Sequence, residues 1–109
     1  MEIELYQDSD GYPRAKTTPD NKAISWYLEG DVQSNPQWIN ELIRLIDLVK
    51  AGNIPYWQGT GNAFTLILAS DKARVESEFA TPPITTELSL DELREILTAW
   101  LSLIESPKN

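Results

Sequence analysis

Between Asn35 and Gly52 the sequence specifies a helix at both ends and along one broad face. Asn35 is a preferred N-cap, because its side-chain oxygen can accept from a free amide of the first turn. Pro36 suits the first helical position, where its missing N–H costs nothing. Trp38, Leu42, Leu45 and Val49 then fall at helical spacing, joined by Ile39 and Ile46. Ile43 and Leu48 widen the apolar face beyond a surface stripe, which predicts a well-buried helix. Lys50 suits the negative end of the helix dipole, and Gly52 supplies the stop. A chain of 109 residues has room for one domain, so the remaining elements must be arranged around this helix.

Most of those elements read as strands. Ile3 and Leu5 alternate with Glu2, Glu4 and Tyr6, as in a half-buried strand. Asp10-Gly11 marks a hairpin, and Tyr12 to Thr17 is the return strand, with Pro13 favouring an edge. Residues 17–21 form a loop. Ile24, Trp26 and Leu28 alternate within Ala23 to Leu28, which predicts a third strand ended by Gly30. Asn53 to Thr60 is a connection with room for a short strand. Phe64, Leu66 and Leu68 point one way and Ile67 and Ala69 the other, which suits an internal strand covered on both sides. Ala73, Val75, Ser77 and Phe79 alternate with Arg74, Glu76 and Glu78 and complete a hairpin. After the break at Thr81-Pro82-Pro83, Ser89 and Glu92 have capping-box spacing. Leu93, Ile96, Leu97, Trp100 and Ile104 carry a second helix that ends before Pro107. The expected fold is a single α+β domain over residues 1–109, a four- to five-stranded mainly antiparallel sheet with two amphipathic helices packed on it.

Composition narrows the chemistry. The chain has no Cys and no His, which removes disulfides, thiolate nucleophiles and triads of the Ser-His-Asp kind. Gly59-Thr60-Gly61 is too short for a phosphate-binding loop and lacks its lysine. Paired carboxylates are the remaining enzymatic option: Asp8 and Asp10 flank a turn, and Glu29 and Asp31 flank Gly30. Carboxylate pairs can hydrolyse glycosides or hold a hard cation. Both pairs are more simply turn residues bonded to local backbone. The expectation is therefore no enzyme, no metal and no cofactor.

Charge points to a partner. Nine basic residues stand against 17 acidic ones, a net charge of -8 with a pI near 4.4. The basic residues, from Arg14 to Lys108, form no run, so direct nucleic-acid binding is not expected. No stretch is apolar enough for a membrane span, and no secretory signal is visible; a cytoplasmic protein is expected. An acidic domain is suited to meet a basic protein, since attraction raises the encounter rate. Glu76 and Glu78 on the outward side of one strand, with Asp91, Glu92 and Glu95 in the first turns of the second helix, would form one acidic surface if that helix begins beside the strand. Tyr56 and Trp57 are candidate aromatic anchors, whereas Trp38 and Trp100 belong to the core.

The run Trp57-Gln58-Gly59-Thr60-Gly61-Asn62-Ala63-Phe64-Thr65-Leu66, followed by a charged strand and Leu88-Ser89-Leu90-Asp91-Glu92-Leu93, resembles the small acidic immunity proteins of bacterial contact-dependent growth inhibition and related polymorphic toxin systems. The likeness in size, acidity and α+β pattern spans the whole chain. It implies a cytoplasmic protein that binds a cognate toxin domain, a nuclease, and blocks its active site or substrate groove. Glu76, Glu78, Asp91, Glu92 and Glu95 would then replace phosphates in that groove. Two rival readings remain: an adaptor or regulatory protein for a housekeeping partner, and a carboxylate-based hydrolase.

Overall fold

The computed structural model describes residues 1–107 and is α+β, with six strands in two antiparallel sheets. Lys108 lies outside the described residues. Strands β1 (Ile3–Gln7) and β2 (Pro13–Thr17) form a two-stranded sheet, with Leu5 opposite Ala15. A 3₁₀ turn (Pro19–Asn21), helix α1 (Lys22–Tyr27) and a π-helical turn (Leu28–Val32) follow. Helix α2 (Pro36–Lys50) leads into β3 (Tyr56–Thr60), β4 (Phe64–Ala69), β5 (Ala73–Ser77) and β6 (Thr85–Leu88), which pair in that order. Helix α3 (Leu90–Ile104) closes the described fold.

Both long helices begin as their sequences specify. The Asn35 side chain accepts from the Trp38 amide at 3.1 Å. Ser89 and Glu92 exchange both bonds of a capping box, each at 3.0 Å. Gly52, at φ 78°, carries the chain out of α2 in a left-handed conformation open to glycine. The apolar faces of α1 and α2 lie on one face of the four-stranded sheet, against Leu66, Leu68 and Val75, all fully buried. Helix α3 packs mainly on α2 and also touches β1 and β2. The other face of the sheet is covered by no described element.

The α+β class and the antiparallel pairing are as expected, but the single expected sheet is two, with β1 and β2 apart from the four-stranded one, and three local expectations change. Ala23 to Leu28 is helical, not a strand, and Gly30 lies inside the π-helical turn. Ala23, Ile24, Tyr27 and Leu28 are buried while Trp26 is 43% exposed, so the apparent alternation was one helical face read at the wrong period. The alternation ending in Phe79 stops with β5 at Ser77, and Phe79 is exposed. A strand unforeseen from the sequence, β6, pairs with β5 after a cis Thr81–Pro82 bond. Its Thr85-Thr86-Glu87-Leu88 run is short, but its β-branched residues are a strand signal.

The π-helical turn ties the layers together. Glu29 Oε2 accepts from the Ala15 amide on β2 at 2.8 Å. Asp31, two residues on, accepts from the Ala63 and Phe64 amides where β4 begins, at 3.0 to 3.3 Å. Gln33 follows with φ 56°, and its carbonyl accepts from the Trp100 indole at 2.8 Å. The carboxylates flanking Gly30 are structural, but the backbone they hold is 14 and 32 or more residues away in sequence, not local. Asp8 does behave as a turn residue, accepting from the Asp10 and Tyr12 amides and from Arg14. Among the described residues no cluster of three or more acids is placed to hold a metal ion.

Candidate partner-binding surfaces

The open face of the four-stranded sheet carries two of the predicted acids. In the register Gln58–Ile67–Arg74–Glu87 an arginine stands beside a glutamate, and in Thr60–Thr65–Glu76–Thr85 Glu76 is the one charged residue. Arg74 bonds Glu76 at 3.3 Å and Glu87 at 3.1 Å, and Lys72 lies 3.6 Å from Glu87. Glu78 accepts from the Thr65 hydroxyl at 2.7 Å. This face is therefore largely internally neutralised, and exposed ion pairs of this kind leave little net field for a partner.

Asp91, Glu92 and Glu95 lie elsewhere. Leu88, next to the start of α3, is in register with Ala73, while Glu76 lies toward the far end of β5 and Glu78 just beyond it. The five residue steps from Ala73 to Glu78 span roughly 16 Å of extended chain. The single acidic surface expected from the sequence is thus two separate groups. Residues of a one-sided strand and of a helix packed behind the sheet are divided by the sheet itself.

Each acid of the helical group has its own role. Asp91 pairs with Lys50 at the end of α2. Glu92 completes the capping box and lies 3.2 Å from the Met1 amino group. Its bond from the Ser89 amide, and then that amino group, hold its carboxyl below the ordinary value. Glu95, one turn further, is exposed and has no ion-pair or hydrogen-bond partner among the described residues. Glu92 and Glu95 border a groove of about 420 Å³ between α3 and β1, whose apolar wall is Ile3, Leu5, Ile96 and Ala99.

The aromatic anchors also divide. Tyr56 is 50% exposed on the open sheet face, with its hydroxyl bonded to Gln58. Trp57 points the other way, half-buried against Trp38 with ring centres 6.3 Å apart, and its indole lies over Gly59. Trp57 is thus largely a packing residue, and Trp38 is half-buried instead of fully enclosed. Trp100 is completely buried, as expected. An exposed pair outside the predicted anchors is Trp26 and Phe79, 6.3 Å apart, with Lys22 over the Trp26 ring at 5.4 Å. That pairing was not legible in the sequence, because it depends on α1 being a helix.

Several carboxylates titrate low for local reasons, and this has a measurable consequence. The Arg94 guanidinium beside Asp47 holds that carboxyl below its ordinary 3.8, and Glu92 is held below 4.5 as described. Both give up protons more readily in the folded chain than in the unfolded one. Their contribution to stability is therefore present above the ordinary carboxylate range and is lost as pH falls through the depressed values. An Asp47→Asn, Glu92→Gln double variant should melt below the parent near neutral pH. The gap should narrow progressively as pH falls below the ordinary carboxylate range. A gap in Tm that stays constant over that range would mean that these ion pairs and caps contribute through shape and not charge.

Residues 1–99 match the model of the Uncharacterised protein family (UPF0231), and the chain belongs to that family. No curated protein and no solved structure matches it.

Proposed function

We propose that this member of UPF0231 is a non-catalytic binding module for a basic protein, and that the groove between β1 and α3 is its contact surface. The observation that carries the reading is Glu95, an exposed and unpaired carboxylate beside Glu92 on the rim of an apolar groove. An apolar centre with a charged rim is the usual anatomy of a protein interface, and the net charge of -8 favours a positively charged visitor. Of the two carboxylate pairs flanking turns, three members are instead committed to backbone amides and ion pairs. Glu29 and Asp31 hold strands together, and Asp8 closes a turn.

A toxin domain with a basic substrate groove is one partner of this chemistry, so the immunity function remains a proposal within the same reading. The test is capture of the partner from the native host with tagged protein, at low and at high salt. Reversal of Glu95 to lysine should cut recovery of a stoichiometric basic partner by roughly tenfold or more at low salt. Reversal of Asp71, an exposed turn residue away from the groove, should not. Equal recovery with both variants would sink the groove as the contact surface. Inhibition of a captured nuclease would support immunity, and capture of a housekeeping enzyme would favour the adaptor.

A further inference from the structure

The β1–β2 ladder fixes which backbone groups β1 leaves open. The Ala15 amide donates to Glu29 and so points away from β1. Its cross-strand neighbour Leu5 is then in a non-hydrogen-bonded pair, with N–H and C=O directed away from β2. With a period of two, the same holds for Ile3 and Gln7. On the outer side of β2, the amide of Ala15 is taken up by the π-helical turn. The outer side of β1 meets no other strand among the described residues. Natural proteins cover or blunt such an edge because it templates pairing with another chain.

The surroundings of this edge are chemically two-sided. On the inner side lies the apolar groove formed by Ile3, Leu5, Ile96 and Ala99, with Glu95 at its rim. On the outer side, two acids, Glu2 and Glu4, and one base, Lys16, the cross-strand partner of Glu4, line a second groove that shares Met1 and Ile3 with the first. Glu2, Glu4 and Glu95 have no ion-pair or hydrogen-bond partner among the described residues.

Resting on the binding reading above, we infer that β1 accepts an extended segment of a basic protein as an added strand. Alternate side chains of that segment would be apolar over Ile3 and Leu5, and the intervening ones would be lysine or arginine beside Glu2 and Glu4. Backbone pairing supplies affinity and the two rows of side chains supply selectivity. Charge decides against a second copy of this chain. Its β1 would bring another Glu2 and Glu4 to the same face, and like charges close across a ladder destabilise it.

Three capped peptides test this on the intact protein: alternating valine and lysine, alternating valine and glutamate, and the valine–lysine peptide N-methylated at every second amide. The valine–lysine peptide should bind, shift the amide resonances of Ile3, Leu5 and Gln7, and slow their hydrogen exchange. The glutamate peptide should not bind. N-methylation on the pairing edge should weaken binding at least about tenfold although charge is unchanged. A Glu4→Lys, Glu95→Lys double variant, altered only at exposed side chains, should lose a similar factor. Equal binding of the N-methylated peptide would overturn strand addition while leaving an acidic binding surface intact. Capture of a basic partner by a protein that ignores the valine–lysine peptide would overturn this inference alone. A dimer assembling through β1 would overturn it by making a second copy the occupant.

Discussion

Replacing Trp100 by alanine is expected to cost about 3–5 kcal/mol, the usual range for deleting a large aromatic side chain from a core. The residue is fully buried on α3, so the deletion leaves a void where α3 packs against the rest of the fold. It also removes the indole donor to the Gln33 carbonyl at 2.8 Å. Gln33 sits at φ 56°, ψ -151°, a conformation that non-glycine residues adopt only when their surroundings impose it. Three bonds hold it here: that from Trp100, that from the Gln33 amide to the Leu28 carbonyl at 2.8 Å, and that from Gln33 Nε2 to the Gly30 carbonyl at 2.6 Å. Trp100→Phe retains much of the apolar volume and loses only the donor, so it should cost less than alanine, about 1–3 kcal/mol. For a domain of this size, the alanine variant should melt more than about 10 °C below the parent. Urea unfolding of both variants checks the order. If alanine and phenylalanine are equally mild, within about 1 kcal/mol of the parent, Trp100 does not anchor the π-helical turn.

The second large effect is expected at Asp31. Its carboxylate accepts from two consecutive amides, Ala63 and Phe64, across 32 and 33 residues of sequence. Asp31→Ala strands both donors where β4 begins and should cost about 1.5–3 kcal/mol, the range for hydrogen bonds to a charged group. The same carboxylate explains a glycine. A Cβ built on Gly61 would come within 2.7 Å of Asp31 Oδ2, so Gly61→Ala should also destabilise the chain. The two effects share one cause and should not add. In an Asp31→Ala background the obstructing oxygens are gone, and Gly61→Ala should lose most of its cost. Denaturant midpoints for the four proteins of this cycle give the coupling directly. Strict additivity would mean that Gly61 is held for some reason other than room for Asp31.

These two sites bear on the binding reading, because the π-helical turn that they secure also positions the hairpin. Glu29 fixes β2 through Ala15, and this bond determines that the free amides of β1 face outward. The candidate surface was only partly legible before the fold was known. Glu92 and Glu95 were marked by their place in the first turns of a capped helix, and Ile3 and Leu5 by alternation. Nothing in the sequence joined these two segments, which are about 90 residues apart. Glu76 and Glu78, equally conspicuous as a charged strand face, turn out to share Arg74 and the Thr65 hydroxyl with their neighbours.

The sequence by itself determined what local physics can decide. The ends of α2 and α3 follow from Asn35, Pro36, Gly52 and the Ser89–Glu92 box, because a cap is satisfied within four residues of chain. The β4–β5 hairpin follows from alternation across a short turn, and the lack of Cys and His limits the chemistry. Tertiary structure alone decided the rest. Ala23 to Leu28 became a helix because its buried side is set by β2, β5 and β6 packed against it, and a six-residue stretch is too short for its own periodicity to settle the matter. Likewise, whether an acidic side chain is neutralised or left open depends on which distant residue the fold brings within about 4 Å of it. That is why Glu76 met an arginine and Glu95 did not.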